Sequence, residues 1–362
     1  MEFSLTKTNR FLLFAILSVI ILYYAKEFLV PIAFAGILSM LFLSVSNRLE
    51  KRGMSRGGAA VWCVFSILLF VGLVAALITW QVSSLAEDAP QMEQRITKMI
   101  TQVKETVSNT FGISPEKQQE MLKKQQESGG GLSSMATGIV SSLMGILVDG
   151  LLTLVYIFLF LTFRSHLKKF ILQFAPADER PKAGKIIAQA SKVSQHYLSG
   201  MGMMIIILWI MYGIAFTLIG VKNAIFFAIL CGLLEIIPFV GNLAGNALTV
   251  LMAITQGGGT TMIIAILVTY GLVQFIQSYI LEPLVVGAEV NINPLFTILA
   301  IVAGELLWGV PGMILAIPIL GITKIVCDNI EGLKPIGFLI GKEKKSKDSD
   351  LKEKVKGWFK KS

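Results

Sequence analysis

The chain is assembled from apolar runs of the length a helix needs to cross a bilayer, roughly 20 residues. They lie near Phe11–Ala25, Phe28–Ser46, Ala59–Val82, Ile139–Phe163, Tyr197–Ile219 and Thr260–Leu281. Inside hydrocarbon a backbone amide or carbonyl has no water to bond, so such segments must be helices that satisfy their own polar groups. Composition agrees. Of all residues, 54% are hydrophobic and 15% charged, against about 25% charged in soluble domains. The expected fold is all-α: a polytopic membrane protein of about eight transmembrane helices. Its C-terminal half carries broken or re-entrant segments, and a small helical insert lies outside the cytoplasm.

The charges orient the helices. Arg48, Lys51, Arg52 and Arg56 face a single Glu50 between the second and third runs. That loop is cytoplasmic under the positive-inside rule, which puts the N-terminus inside and Lys26-Glu27 outside. The segment with Arg164, Lys168, Lys169, Arg180, Lys182, Lys185 and Lys192 outweighs Asp178 and Glu179 and is cytoplasmic too. The net charge of +9 therefore marks topology rather than a nucleic-acid partner. Phe11–Ala25 is preceded by Lys7 and Arg10 like a signal peptide. Tyr23 and Ala25 make no small-x-small cleavage site, however, and a second run follows at once, so it reads as a retained span. The expected division is 1–82, a three-span region; 83–138, the extracytoplasmic insert; 139–163, the fourth span; 164–196, a basic amphipathic segment; 197–330, a transport core; and 331–362, a lysine-rich cytoplasmic tail. Within the insert, Met92, Ile96, Met99, Val103 and Val107 recur at helical spacing, and Gly129-Gly130-Gly131 makes a hinge.

Catalytic motifs do not account for the chain. Gly337-Phe-Leu-Ile-Gly341-Lys342 has three residues between its glycines where a Walker A loop has four, and Glu343 stands where Ser or Thr would bind magnesium. No HExxH zinc motif is present. Cys63, Cys231 and Cys327 are isolated in apolar runs, and His166 and His196 stand alone near membrane boundaries. The expectation is a protein that is not an enzyme and needs neither cofactor nor metal.

What remains are breaks and carboxylates. The apolar stretch Ala224–Thr255 is longer than one straight span needs, and Glu235-Ile-Ile-Pro238-Phe-Val-Gly241-Asn242 interrupts it. Pro294–Val326 is also overlong and is interrupted by Gly309-Val-Pro311-Gly312. Each is either one broken spanning helix or a hairpin that enters and leaves on one side. Pro238 removes a backbone donor and Gly241 permits unusual angles. The freed backbone groups are tolerated only against protein or a water-filled cavity, which is how many secondary transporters form a site near the midplane. A charge at bilayer depth costs about 2.5–3.5 kcal/mol on insertion scales, so Glu235, Glu282, Glu305 and Asp149 become candidates for a substrate or ion pathway. Glu282 and Pro283 end a helix whose Tyr270, Gln274, Gln277 and Ser278 share one face. Asp149 shares a face with Ser142, Gly145, Thr153 and Tyr156. The plainer alternatives are a glutamate that only caps the break, amides that tie helices together, and a Gly241-x3-Gly245 pattern that permits close packing.

These C-terminal residues resemble the AI-2E transporter family. The resemblance rests on Glu235-Ile-Ile-Pro238-Phe-Val-Gly241-Asn242, Gln277-x4-Glu282-Pro283-Leu-Val-Val-Gly287, Asn293-Pro294-Leu295 and Gly309-Val-Pro311-Gly312-Met-x3-Ala316-x-Pro318, in order and spacing. Asn242 departs from the proline or glycine commoner there. The resemblance implies a bacterial inner-membrane protein with both termini cytoplasmic, and a homo-oligomer, with a pentamer as one form. It also implies export of autoinducer-2, a small polar furanone, or sodium (lithium)/proton antiport.

The leading expectation is an ion-coupled exporter of a small polar organic molecule. Glu235 would be its coupling carboxylate, Pro238, Gly241 and Asn242 its broken-helix site, and Gln277 and Glu282 its path. Cation/proton antiport and a non-transporting scaffold that uses the 83–134 segment are the alternatives. In a background free of native cysteines, Ser55→Cys should react only with thiol reagents admitted to the cytoplasm. Ser114→Cys should react with impermeant reagents added outside. Labelling of both from one side would overturn this orientation.

Overall fold

Helices account for every regular element among the described residues of the computed structural model, which are 5–87, 132–238, 240–286 and 292–342. Most of the 83–138 insert, with its helical pattern and glycine hinge, lies outside them, as does the tail beyond Lys342. The helices are α1 (Leu5–Tyr24), α2 (Lys26–Lys51), α3 (Arg56–Glu87), α4 (Leu132–Gln173), α5 (Arg180–Ile219), α6 (Ala224–Leu234), α7 (Val240–Thr255) and α8 (Thr260–Ile276). A π-helical stretch, Gln277–Val286, continues α8. Then come α9 (Pro294–Trp308), α10 (Val310–Asn329), a 3-10 turn (Glu331–Leu333) and α11 (Lys334–Ile340). Six segments are long and apolar enough to cross a membrane: α2, α3, the Gly150–Gln173 part of α4, α5, Thr260–Glu282 and α10. This is a multi-pass membrane protein.

The basic segment read as 164–196 is not a separate element. α4 runs on to Gln173 and α5 starts at Arg180, with Pro181 in its first turn. Pro181 suits that place, because its missing N–H has no helical partner there anyway. The basic residues thus sit on the prolonged ends of two spans.

α2, α3 and α4 pack through Ala35, Ala60, Cys63, Ile157 and Leu161. Small residues let such helices approach where no water drives them together. Their basic ends are tied by Arg164. Its guanidinium donates to Glu50 Oε2 at 2.7 Å, Asn47 Oδ1 at 3.0 Å and Ser46 Oγ at 3.2 Å. From α3, Arg56 donates to Ser165 Oγ at 3.1 Å and lies 3.8 Å from Glu50.

The overlong segment Ala224–Thr255 reverses direction. α6 and α7 form an antiparallel hairpin whose open ends meet: Gln256 Nε2 donates to the Gly220 carbonyl at 3.1 Å and Gln256 Oε1 accepts from Lys222 N at 2.6 Å. Of the two forms left open for this segment, its described residues pack as a hairpin. Glycine makes the hairpin possible. A Cβ on Gly245 would stand 2.9 Å from Cys231 Cα, and one on Gly241 would collide with the Leu234 carbonyl. This is the close packing that the Gly-x3-Gly spacing permits.

Pro294–Val326 also folds as two packed helices, α9 and α10. Gly309 turns the chain at φ +64, a backbone angle that glycine adopts without strain. The Gly304 and Gly312 backbones then touch, so a Cβ on either would strike the other's carbonyl. Asn293 Oδ1 caps α9 by accepting from Leu295 N at 3.0 Å. Asn293 N donates to the Ile340 carbonyl at 2.8 Å, which joins the start of α9 to the end of α11. At the opposite end, Trp308 Nε1 donates to the Leu22 carbonyl of α1 at 2.9 Å.

Gly241→Ala and Gly312→Ala should each lower stability in detergent by about 1–3 kcal/mol, the usual cost of overpacking. Gly271→Ala, where an added Cβ meets open space, should be neutral or stabilising. Thermal unfolding followed by helical ellipticity checks the contrast.

Candidate functional site

The tip of the α6–α7 hairpin is where the sequence motif acts. α6 ends at Leu234, and Glu235 to Pro238 form the turn. Pro238 brings no N–H that would need a partner. The neighbouring amides bond locally: Ile236 to Leu233 O at 3.1 Å, Ile237 to Leu234 O at 2.9 Å and Gly241 to Ile237 O at 3.1 Å. A chain reversal amid apolar helices thus leaves few backbone groups to satisfy.

Side chains then fasten the tip to its neighbours. Asn242 and Asn246, one turn apart on α7, are both buried. From α5, Tyr212 OH donates to Asn242 Oδ1 at 3.0 Å, and Asn246 Nδ2 donates to the same oxygen at 2.8 Å. Asn242 Nδ2 donates to Gln274 Oε1 of α8, whose Nε2 reaches Ser278 Oγ at 3.3 Å. Gln277 Nε2 donates to Glu235 Oε1 at 2.5 Å. One hydrogen-bonded chain therefore links α5, the hairpin tip and α8. Gln277 also opens the π-helical stretch, where Pro283 removes one amide from the regular ladder. Even single π turns recur at functional sites, and this stretch is ten residues long.

This chain borders a cavity of about 350 Å³. Glu235, Pro238, Asn242, Tyr270, Gln274, Gln277, Ser278 and Glu282 line one side. Tyr197, Met201, Met204, Thr297, Ile301 and Ile317 line the rest. No lysine or arginine is among these residues, while two glutamates are. In this cluster three buried acceptor oxygens lack a partner among the described residues: Glu235 Oε2, Gln277 Oε1 and Asn246 Oδ1. An unpaired acceptor away from water is costly. Glu235 and Gln277, which also line the cavity, offer their free oxygens to a donor or a cation.

The structure brings together Glu235, Pro238, Asn242, Gln277 and Glu282, with Gly241 buried beside them. The face predicted from Tyr270, Gln274, Gln277 and Ser278 lines the cavity in full. Glu282 is itself exposed. Glu305 is exposed on α9 and is not part of the cavity lining. Asp149 belongs to α4 and Pro283 to the π-helical stretch, but their side chains lie outside what is described. Tyr212, Asn246, Tyr197 and Thr297 were not singled out from sequence. Asn242 and Asn246 at helical spacing were a usable signal. Tyr212 was not, because it stands alone in an apolar run. Gly53-Met-Ser55-Arg-Gly57 has the spacing of a hydrolase nucleophile elbow. Here no strand precedes it among the described residues, and Ser55 Oγ accepts from Gly58 N at 3.2 Å in the first turn of α3. It is a helix cap. No group of three His, Cys, Asp or Glu that would hold a metal occurs among the described residues.

Known proteins match the chain over most of its length. Residues 12–332 match the profile of the AI-2E family transporter. YrrI of Bacillus subtilis strain 168 is 22% identical over 308 residues, 83% of this chain and 86% of its own length. YueF of the same strain is 26% identical over 314 residues, 83% of each chain. PerM of Escherichia coli K12 is 24% identical over 312 residues, 84% of this chain and 88% of its own. Their names give provisional roles, transport protein for the first two and permease for the third, and no cargo.

Tyr212→Phe removes the donor to Asn242 without altering shape. Interhelical hydrogen bonds of this kind average about 0.6 kcal/mol and reach about 1.7 kcal/mol, so the loss should fall in that range. Unfolding in detergent measures it, and a change beyond about 3 kcal/mol would mean that Tyr212 does more than donate one bond.

Proposed function

The chain belongs to the AI-2E transporter family, and from that premise we propose that it is a secondary transporter exporting a small polar organic molecule, of the autoinducer-2 kind, coupled to an ion gradient. The observation that carries this reading is Glu235 at the hairpin tip. One of its oxygens is held by Gln277, the other is unpartnered, and it lines a cavity without lysine or arginine. A carboxylate so placed binds a proton or a monovalent cation readily. A strongly anionic solute has nothing there to neutralise it.

The same reading gives a topology. α1 to α5, α8, α9 and α10 cross the bilayer, and the α6–α7 hairpin is re-entrant from outside. The protein sits in the bacterial inner membrane as a homo-oligomer with both termini cytoplasmic. The basic loops and the tie from Trp308 to the outer end of α1 support this arrangement. The cavity then runs inward from the hairpin tip, since Glu282 and Thr297 lie toward the cytoplasmic ends of their elements. The Tyr212–Asn242–Asn246 cluster closes the outer side. Solute hydroxyls bind among Gln274, Gln277 and Asn242. A proton or cation on the free oxygen of Glu235 balances its charge and lets the tip leave Gln277. The tip is thereby the moving part, and ion and solute are coupled because both engage it.

Sodium (lithium)/proton antiport is the second reading. The unpartnered acceptors Glu235 Oε2 and Gln277 Oε1 favour it, because a cation takes acceptors and gives no proton.

Liposomes holding a trapped pH dye and labelled autoinducer-2 separate the two. Autoinducer-2 flux driven by a proton or sodium gradient is expected from the native chain. Glu235→Gln should reduce it by at least tenfold, about 1.4 kcal/mol, and the exposed Glu282→Gln should reduce it less. Sodium-driven proton flux without autoinducer-2 movement would replace export by antiport. Undiminished flux in Glu235→Gln would overturn both readings.

A further inference from the structure

A second cavity, of about 590 Å³, lies beyond the hairpin tip among α2, α3, α4, α5 and α10. Thr153 is the one polar side chain among its lining residues. An ordered water needs about two to four polar partners, so water has no place to settle there. In a bilayer, a space of this size and lining takes hydrocarbon.

The wall between this cavity and the polar one is thin. Met201 of α5 lines both. At the hairpin tip Glu235 lines the polar cavity and its neighbour Ile236 the apolar one. On α10, Ile317 lines the first and Pro318 the second. Three elements thus present adjacent residues to opposite cavities. The residue common to both is methionine, an unbranched side chain that readily changes shape. Across the apolar cavity, Gly150 and Gly202 face open space, where an added Cβ would meet nothing within 4 Å.

We propose that the two cavities are arms of one binding site and that this site also transports amphiphiles. The amphiphile's head, uncharged or cationic, sits among Glu235, Gln274 and Gln277. Its hydrocarbon chain passes Met201 into the apolar arm. This rests on the transport reading above and extends its cargo from small polar molecules to ones that also carry an apolar chain. The physical logic is that only the head needs a polar route across the membrane. The chain gains little by leaving lipid, since one hydrocarbon environment replaces another. An apolar arm beside the polar path lets it stay in hydrocarbon while the head crosses. The absence of lysine and arginine from the polar lining excludes an anionic head.

The test uses the full chain in liposomes and an alkyl glucoside carrying a diazirine at the end of its chain. After photolysis, digestion and mass spectrometry should place adducts on Ile67, Ile157 or Ile205 of the apolar arm. Gly202→Trp and Gly150→Trp, on different helices, should each fill the arm and abolish those adducts in protein that unfolds like the native chain. Adducts confined to outward-facing residues such as Ile206 and Leu218 would overturn the proposal. So would labelling unchanged in both tryptophan variants, or a phospholipid with the same diazirine labelling the arm without competition from the glucoside. If flux depends on Glu235 but the arm is never labelled, the transport reading stands and the amphiphile does not. If flux is indifferent to Glu235→Gln, both fail.

Discussion

A chain that turns round among apolar helices must satisfy its own backbone there, and the hairpin tip depends on how this is met. Pro238 brings no donor, and the amides around it bond to carbonyls one turn back. Glycine at 241 and 245 lets the returning helix lie against the outgoing one, backbone against backbone. With the main chain largely self-sufficient, the side chains of Glu235, Asn242 and Asn246 are free to bond outward. The polar cavity exists because the turn does not use them up.

The two halves of the bundle are held by different chemistry. At their basic ends α2, α3 and α4 share an ionic cluster around Arg164 and Glu50. A charge pair of that kind is affordable near water and costly at depth. Around the hairpin, where charge is scarce, neutral amides and a tyrosine hydroxyl make the ties. Neutral hydrogen bonds between helices are individually weak in membranes. They can be exchanged for bonds to a solute at small net cost, which an ion pair resists. Apolar packing of Leu208, Phe216, Phe227 and Ile266 supplies the permanent part of the attachment.

Much of this was legible in the residues. Apolar run lengths gave five of the six membrane-length helices among the described residues, while α10 was hidden in an overlong run and the first run, in α1, is too short to count among them. The shared face of Tyr270, Gln274, Gln277 and Ser278 was correct because helical spacing alone decides it. The motif around Glu235 pointed to the cavity. The reversal of Ala224–Thr255 was not legible, since a broken helix and a hairpin have the same composition. Only the contact of Gln256 with Gly220 and Lys222, remote in sequence, tells them apart. Charge counting placed the basic residues on one side but gave no sign that α4 and α5 continue through them. Among the carboxylates, the insertion cost that made Glu235 a candidate also made Glu305 one. Burial separates them, because Glu305 is exposed and Glu235 is tied to Gln277.

The winding of the segment after α8 has a geometric consequence. From Gln277 to Val286 the helix is wider than the α form. A wider helix turns less per residue, so each step along it lags the α-helical direction. By Glu282 the accumulated lag is on the order of a quarter turn. The wall of the cavity below Gln277 is therefore set by the pitch of the backbone as much as by the order of residues. Rewinding the stretch to the tighter form would rotate Glu282 off the cavity while Gln274, above the joint, kept its bearing.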